Sequence, residues 1–245
     1  ITEAEVGDDV FSDDPSVNLL EEKAAEIMGK ESAVFVASGT MGNLVSVLSH
    51  CQRGSEIILG DKSHIFRSEG GGASALGGIS YSTVLNNEDG TLDPDDVRSA
   101  IRDYSTRLSR LHSAKTSLVA LENTHNSCGG AALTQEDTRT IADVARRHGV
   151  PLHLDGARIF NAAVHLETPV SELVQDADSV SFCLSKGLSG PVGSLLCGSN
   201  EFIDRAHRWR KTLGGGMRQV GIVAAAGIVA LDTMVERLAE DHTNA

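Results

Sequence analysis

The sequence lacks the marks of a zinc protein, a nucleic-acid binder and a membrane-spanning chain. Its four cysteines, Cys51, Cys128, Cys183 and Cys197, form no Cys-x-x-Cys pair and no zinc-like spacing. Cys183 and Cys197 lie in apolar runs and read as small buried hydrophobes. There is no basic block or basic–aromatic stripe. With 21 Lys and Arg against 34 Asp and Glu, the formal charge is -13. Nucleic acid and anionic membrane surfaces are therefore poor partners. No apolar run approaches the roughly 18 residues needed to cross a bilayer, and the Ala/Val/Ile-rich stretch 220–231 is too short. No secretory leader is visible, so a cytoplasmic location is expected. Ile1 stands where an initiator methionine would, and a helical pattern stops abruptly at Ala245. A truncated chain is as much expected as a complete one.

What is present is a chain of 245 residues, long enough to bury a sizeable core, in which short apolar runs alternate with helical patterns. Residues 18–28 read as an amphipathic helix closed by Gly29, followed by a strand at 33–36, a helix at 43–50 and a strand at 56–59. Further strands are expected at 79–85, 116–121, 150–154, 179–184 and 193–197. A helix over 134–148 opens with a capping-box variant, Thr134 with Asp137. Two long helices are expected at 200–213 and 219–240. This alternation argues for an α/β fold with three α/β/α layers around a mainly parallel sheet, to which the last two strands can add an antiparallel element. The chain divides into an arm and first helix (1–30), a large domain (31–213) and a glycine-rich crossing with a long helix (214–245).

In such folds, ligands gather outside the carboxyl ends of the strands. Residues 38–40, 61–64, 122–125, 155–158 and 185–186 all fall just after predicted strands. Lys186 and Asp155 are the informative pair. A lysine and a carboxylate at two strand ends can hold an aldehyde cofactor, one by a Schiff base and the other at its pyridine nitrogen. That points to pyridoxal phosphate chemistry. The bland alternatives are an exposed loop lysine for Lys186 and a helix cap or metal ligand for Asp155. Ser38-Gly39-Thr40-Met41-Gly42-Asn43 lies between a strand and a helix, where free amides attract phosphate, although a simple turn has the same pattern. Ser185 or Ser189 could assist with a phosphate. Arg158 could make a forked pair with a substrate carboxylate, or a surface salt bridge. His64 could stack on a cofactor ring and His125 could act as a base, or each could be structural. His153 shares the side of its strand with Asp155 and reads as structural. A metal triad of His153, Asp155 and His125 is conceivable, but the spacing specifies no metal. Arg218, in Gly214-Gly215-Gly216-Met217-Arg218-Gln219, could reach a phosphate or a neighbouring subunit.

Taken together, the stretches 8–15, 38–43, 63–66, 122–126, 153–158, 184–187 and 214–219 resemble the threonine aldolase/aromatic amino acid β-eliminating lyase family of fold-type-I pyridoxal phosphate enzymes. They run in family order through nearly the whole chain. The resemblance implies pyridoxal 5'-phosphate as cofactor, Lys186 as the Schiff-base residue, Asp155 at the pyridine nitrogen and His64 on the ring. It implies phosphate binding by Gly39 and Thr40, carboxylate binding by Arg158, and His125 near the substrate hydroxyl. Arg218 carries over more weakly. It also implies a homodimer or homotetramer, residues before Ile1, and a small domain after Ala245 toward which 214–245 would lead. The implied reaction is aldol cleavage of L-threonine and L-allo-threonine to glycine and acetaldehyde. A related β-eliminating lyase or aminotransferase is the alternative enzyme, and a noncatalytic scaffold the alternative outside catalysis.

Overall fold

The structure is a computed structural model that describes residues 2–244. Seven short strands form one sheet: β1 (Ser32–Val36), β2 (Ser55–Gly60), β3 (Ser80–Val84), β4 (Lys115–Glu122), β5 (Leu152–Asp155), β6 (Ser179–Cys183) and β7 (Ser194–Gly198). Their order is β1-β7-β6-β5-β4-β2-β3. All run parallel except β7, which is antiparallel to both of its neighbours. The helices are α1 (Pro15–Met28), α2 (Gly39–His50), α3 (His64–Arg67), α4 (Gly72–Gly77), α5 (Pro94–Ala100) and α6 (Arg107–His112). They continue with α7 (Gln135–Arg147), α8 (Ile159–His165), α9 (Val170–Val174), α10 (Asn200–Thr212), α11 (Gly221–Thr233) and α12 (Leu238–Asn244). One face of the sheet is covered by α2, α4 and α10, and the other by a layer that includes α1, α5, α7, α8, α9 and α11. The expected three-layer α/β/α architecture is the one observed.

Local chemistry explains the boundaries. The first helix starts at Pro15, three residues before its apolar periodicity, because the Asp14 carboxylate accepts the N–H groups of Ser16 and Val17 and proline suits the first turn. The other oxygen of Asp14 accepts the Gly221 N–H at 2.9 Å, so one carboxylate ties the starts of α1 and α11 together. A Cβ at Gly221 would lie 2.2 Å from that carboxylate, which requires glycine there. Helix α7 has the expected capping box between Thr134 and Asp137.

Two expectations need correction. The helix placed at 43–50 begins at Gly39, where Ser38 caps it by accepting the Met41 N–H at 3.2 Å. Its first turn is glycine-rich and so has no apolar periodicity to read. The single long helix expected over 219–240 is two. Helix α11 ends at Thr233, a turn covers 234–237, and α12 packs on α8. Leu238 is 1% exposed and sits where a Cβ on Gly187 would touch it at 3.2 Å. Burying that leucine rewards the break.

Candidate active site

At the carboxyl ends of the central strands the register sets Glu122 of β4 beside Asp155 of β5, and Asp155 beside Ser181 of β6. Asp155 is 3% exposed and makes no ion pair among the described residues. Its Oδ2 accepts Asn43 Nδ2 at 2.8 Å and its Oδ1 accepts the Ala157 N–H at 3.2 Å. Burial pushes this carboxyl up and Glu122 adds to the rise. The Asn43 hydrogen bond and the positive charges of His64 and Lys186 oppose it. A dry carboxylate with no protein cation in direct contact among the described residues is suited to a cationic ligand group.

His64 opens α3 directly above this point and is held at both ends. Its main-chain N–H donates to Glu122 Oε2 at 2.7 Å, and its Nδ1 lies 2.9 Å from Glu69 Oε1. The hydrogen bond to Glu69 is the main cause that holds the imidazole above its ordinary range. Glu69 also accepts Asn43 Nδ2 at 2.8 Å. His64, Glu69 and Asp155 offer ligand atoms within 4.8 Å of one another.

His125 is 1% exposed, and neither ring nitrogen has a hydrogen-bond partner among the described residues. The nearest carboxylate oxygen, Glu122 Oε2, is 4.0 Å from its Nε2. Burial is the chief cause that pushes its pKa down, so the ring is neutral near pH 7. Glu122 thus stands between the main chain of His64 and the ring of His125.

Lys186 is half-buried, three residues beyond β6, with Ser185 exposed beside it. Arg158 is half-buried at the start of α8 and has no carboxylate partner among the described residues, so the surface salt bridge considered for it is not formed. It lines a cavity of about 450 Å³ together with Thr124, Asn161, His165 and His242. Gly39 and Thr40 form the first turn of α2, and a Cβ on Gly39 would meet Cys183 Sγ at 2.8 Å. Glycine is what lets the helix start come this close to the end of β6. The 214–219 crossing passes over the same turn, since a Cβ on Gly215 would strike Met41 Sδ at 2.5 Å. Arg218 itself is exposed and donates to Asp8 Oδ2 at 2.7 Å.

The conceivable metal triad of His153, Asp155 and His125 does not assemble. His153 Nδ1 lies 2.9 Å from Ser179 Oγ and its Nε2 lies 3.2 Å from Asn43 Oδ1, while His125 stands apart beside Glu122. Both nitrogens of His153 are committed to the protein, which makes it structural. Sequence reasoning passed over Asn43, Glu69 and Glu122 as individual groups. Asn43 had a signal, because Asn43, Ser46 and His50 recur at helical spacing within an otherwise apolar helix. Glu69 had none beyond its place before three glycines.

These residues fit pyridoxal 5'-phosphate. The amine and the dry carboxylate suit its aldehyde and its ring nitrogen, and Ser38 caps only one of the amides that α2 presents to a phosphate. A seven-stranded sheet in this order, with lysine and aspartate at its carboxyl edge, has the fold of the fold-type-I pyridoxal phosphate enzymes. The beta-eliminating lyase family model matches residues 1–245, and the chain belongs to that family. Low-specificity L-threonine aldolase 1 of Arabidopsis thaliana is 53% identical over 243 residues, covering 99% of this chain and 67% of its own length. The low specificity L-threonine aldolase of Escherichia coli K12 is 50% identical over 242 residues, covering 99% of this chain and 70% of its own. The structure of Leishmania major threonine aldolase superposes with a TM-score of 0.80 at 21% identity, over 96% of this chain and 67% of that one. The chain thus spans about two thirds of these relatives.

Proposed function

We propose that this chain carries the cofactor-bearing part of an aldehyde-lyase that cleaves L-threonine and L-allo-threonine to glycine and acetaldehyde. Two relatives at 53% and 50% identity bear the name low-specificity L-threonine aldolase, which supports this reading. The observation that carries it is His125, a buried, neutral imidazole with two nitrogens unpartnered among the described residues, 4.0 Å from Glu122, which is the neighbour of Asp155 across the sheet. Aldol cleavage needs such a base for a hydroxyl proton.

When bound, pyridoxal phosphate supplies covalent capture of the amino group and an electron sink for Cα. Lys186 would anchor it, and its freed amine would return a proton to Cα. Asp155 would hold the proton at the ring nitrogen, and His64 would lie on the ring. Gly39 and Thr40 would receive the phosphate, with Ser185 and Arg218 as further donors. Arg158, which has no carboxylate partner among the described residues, would fork onto the substrate carboxylate. His125 would take the β-hydroxyl proton as the Cα–Cβ bond breaks. The hydroxyl-bearing carbon leaves as the aldehyde, and Cα is reprotonated to give glycine.

No helix among the described residues is long and apolar enough to cross a membrane. A cytoplasmic homodimer or homotetramer remains part of the proposal, as does the division into an arm (1–30), a cofactor-binding large domain (31–213) and a crossing (214–245) toward a small domain.

The test is to incubate the full chain with pyridoxal phosphate and look for a yellow, borohydride-reducible adduct, then to analyse products from L-threonine. Lys186→Ala should lose both the adduct and cleavage. Glycine with acetaldehyde supports the reading, whereas ammonia with a keto acid overturns it in favour of β-elimination.

A further inference from the structure

Behind Asp155, a continuous line of buried polar groups runs between α2 and the strands β5 and β6. Asn43 Nδ2 contacts Asp155 Oδ2 at 2.8 Å, and Asn43 Oδ1 lies 3.2 Å from His153 Nε2. His153 Nδ1 lies 2.9 Å from Ser179 Oγ, which in turn lies 2.8 Å from His50 Nε2. His153 and Ser179 are fully buried. His50 is stacked on Phe202 at 4.5 Å and lines a cavity of about 940 Å³ at the amino ends of the strands, with Arg53, Arg205 and Trp209. The line therefore crosses the protein from the candidate active site to its opposite end.

Hydrogen-bond inventory fixes the direction of every link. The Asn43 amide donates to both Asp155 and Glu69, so its oxygen can only accept. It accepts from Ser181 Oγ at 2.7 Å and from His153, whose Nε2 must carry the proton. Burial pushes the pKa of His153 down to about 3, so the ring is neutral and its Nδ1 is a bare acceptor. Ser179 Oγ then donates its only proton to His153 and accepts from His50 Nε2–H, and toward Ser46 Oγ, at 3.3 Å, it can only accept. His50 is likewise neutral, with burial pushing it down to about 3. Four donors in succession point toward one carboxylate. Aligned donors in a dry interior polarise one another and favour the ionised acceptor.

We propose that His50, Ser179 and His153 are positioning residues, which act through Asn43 to keep Asp155 ionised and aimed at the cofactor ring. The inference rests on the reading of Asp155 as the partner of the ring nitrogen. It adds that the strength of this partner is set from the far end of the sheet, by groups that touch neither substrate nor cofactor.

Tautomers test the wiring without cofactor. In the full chain labelled with 15N-histidine, two-bond proton–nitrogen spectra should show His153 and His50 neutral, protonated at Nε2 and bare at Nδ1. Protonation of His153 at Nδ1 overturns the proposal. The consequence is then read with ring-15N pyridoxal phosphate bound. Ser179→Ala should make the ring nitrogen lose its proton at a pH lower by roughly one unit, the size of one weakened charge-assisted link. Ser179→Thr, which keeps the hydroxyl, should restore the midpoint, and His50→Phe should shift it in the same direction by less. An unchanged midpoint in folded Ser179→Ala sinks the proposal. If Ser179→Ala does not fold, the wild-type tautomers and His50→Phe decide. Absence of threonine cleavage would overturn the assigned reaction while leaving both of these readouts intact.

Discussion

Strands β5 and β6 show two faces that are equally dry and chemically opposite. Leu152, Leu154, Val180 and Phe182 point into the larger core, where Phe182 meets Phe160 edge-on at 5.4 Å. His153, Asp155, Ser179 and Ser181 point the other way, onto α2. The apolar face is held by area removed from water and by close packing, which tolerate swaps of similar shape. The polar face is held by completeness, since each donor has an acceptor and one lost partner leaves several groups unsatisfied. Neighbouring β4 sharpens the contrast. Its residues on the α2 side, Leu118 and Ala120, are apolar until Glu122 at the carboxyl end. Polarity on this face is therefore concentrated on β5 and β6, along the line that ends at Asp155.

The largest expected effect comes from breaking the polar face at its hub. Asn43→Leu is close in size but removes partners from Asp155, Glu69, His153 and Ser181 at once. It should cost about 3–5 kcal/mol in urea unfolding, the scale of a buried charge left uncompensated. A cost below about 1 kcal/mol would mean that the face is no more demanding than the apolar one. Next is Leu154→Ala, which opens a cavity in the larger core and should cost about 2–5 kcal/mol. Leu154→Met should cost less than about 1.5 kcal/mol by the same measurement.

A half-buried carboxylate outside the site extends the comparison. Glu21 accepts the Phe35 N–H at 2.7 Å and lies 3.9 Å from the Arg210 guanidinium, which itself contacts Asp9 at 2.9 Å. Burial is the main cause that pushes Glu21 up from 4.5 to about 7. The folded chain then keeps a proton that the unfolded chain releases. This contribution to stability is full below about pH 4.5 and is lost as pH rises through about 7. Glu21→Gln should flatten that part of the stability–pH curve, and an unchanged slope would show that Glu21 is ionised throughout. The smallest effect belongs to an exposed cap. Thr134→Ala removes one half of the α7 capping box and should cost about 1 kcal/mol, read from the thermal midpoint.

Much of the site was legible because its residues follow strands. Asp155 closes an apolar run and Lys186 follows one, and the fold presents both at the carboxyl edge of the sheet. Gly39 and Thr40 were legible as a turn between strand and helix, although the helix proved to include them. The break between α11 and α12 was not legible, because local periodicity continues through 234–237 and only the contacts of Leu238 reveal the change of direction. Nor were the tasks of Glu69 and Asn43, since a single carboxylate or amide has no period and its partners are remote in sequence. The acidic arm at 8–15 was readable as a motif without a role. Its carboxylates turn out to clasp Arg210, Arg218 and the start of α11.

By itself the sequence determined the alternation of strands and helices, the cap that starts α7, and the chemical identities of the amine, the carboxylate and the imidazoles. Those follow from neighbours along the chain, through periodicity, turn chemistry and side-chain type. Only the tertiary structure decided which polar groups share a proton line, that His153 is spent on Ser179 and Asn43, and that His125 is left without a partner. The proton line depends on contacts between residues 26 to 129 positions apart, which the pairing of β5 with β6 and the packing of α2 against both set.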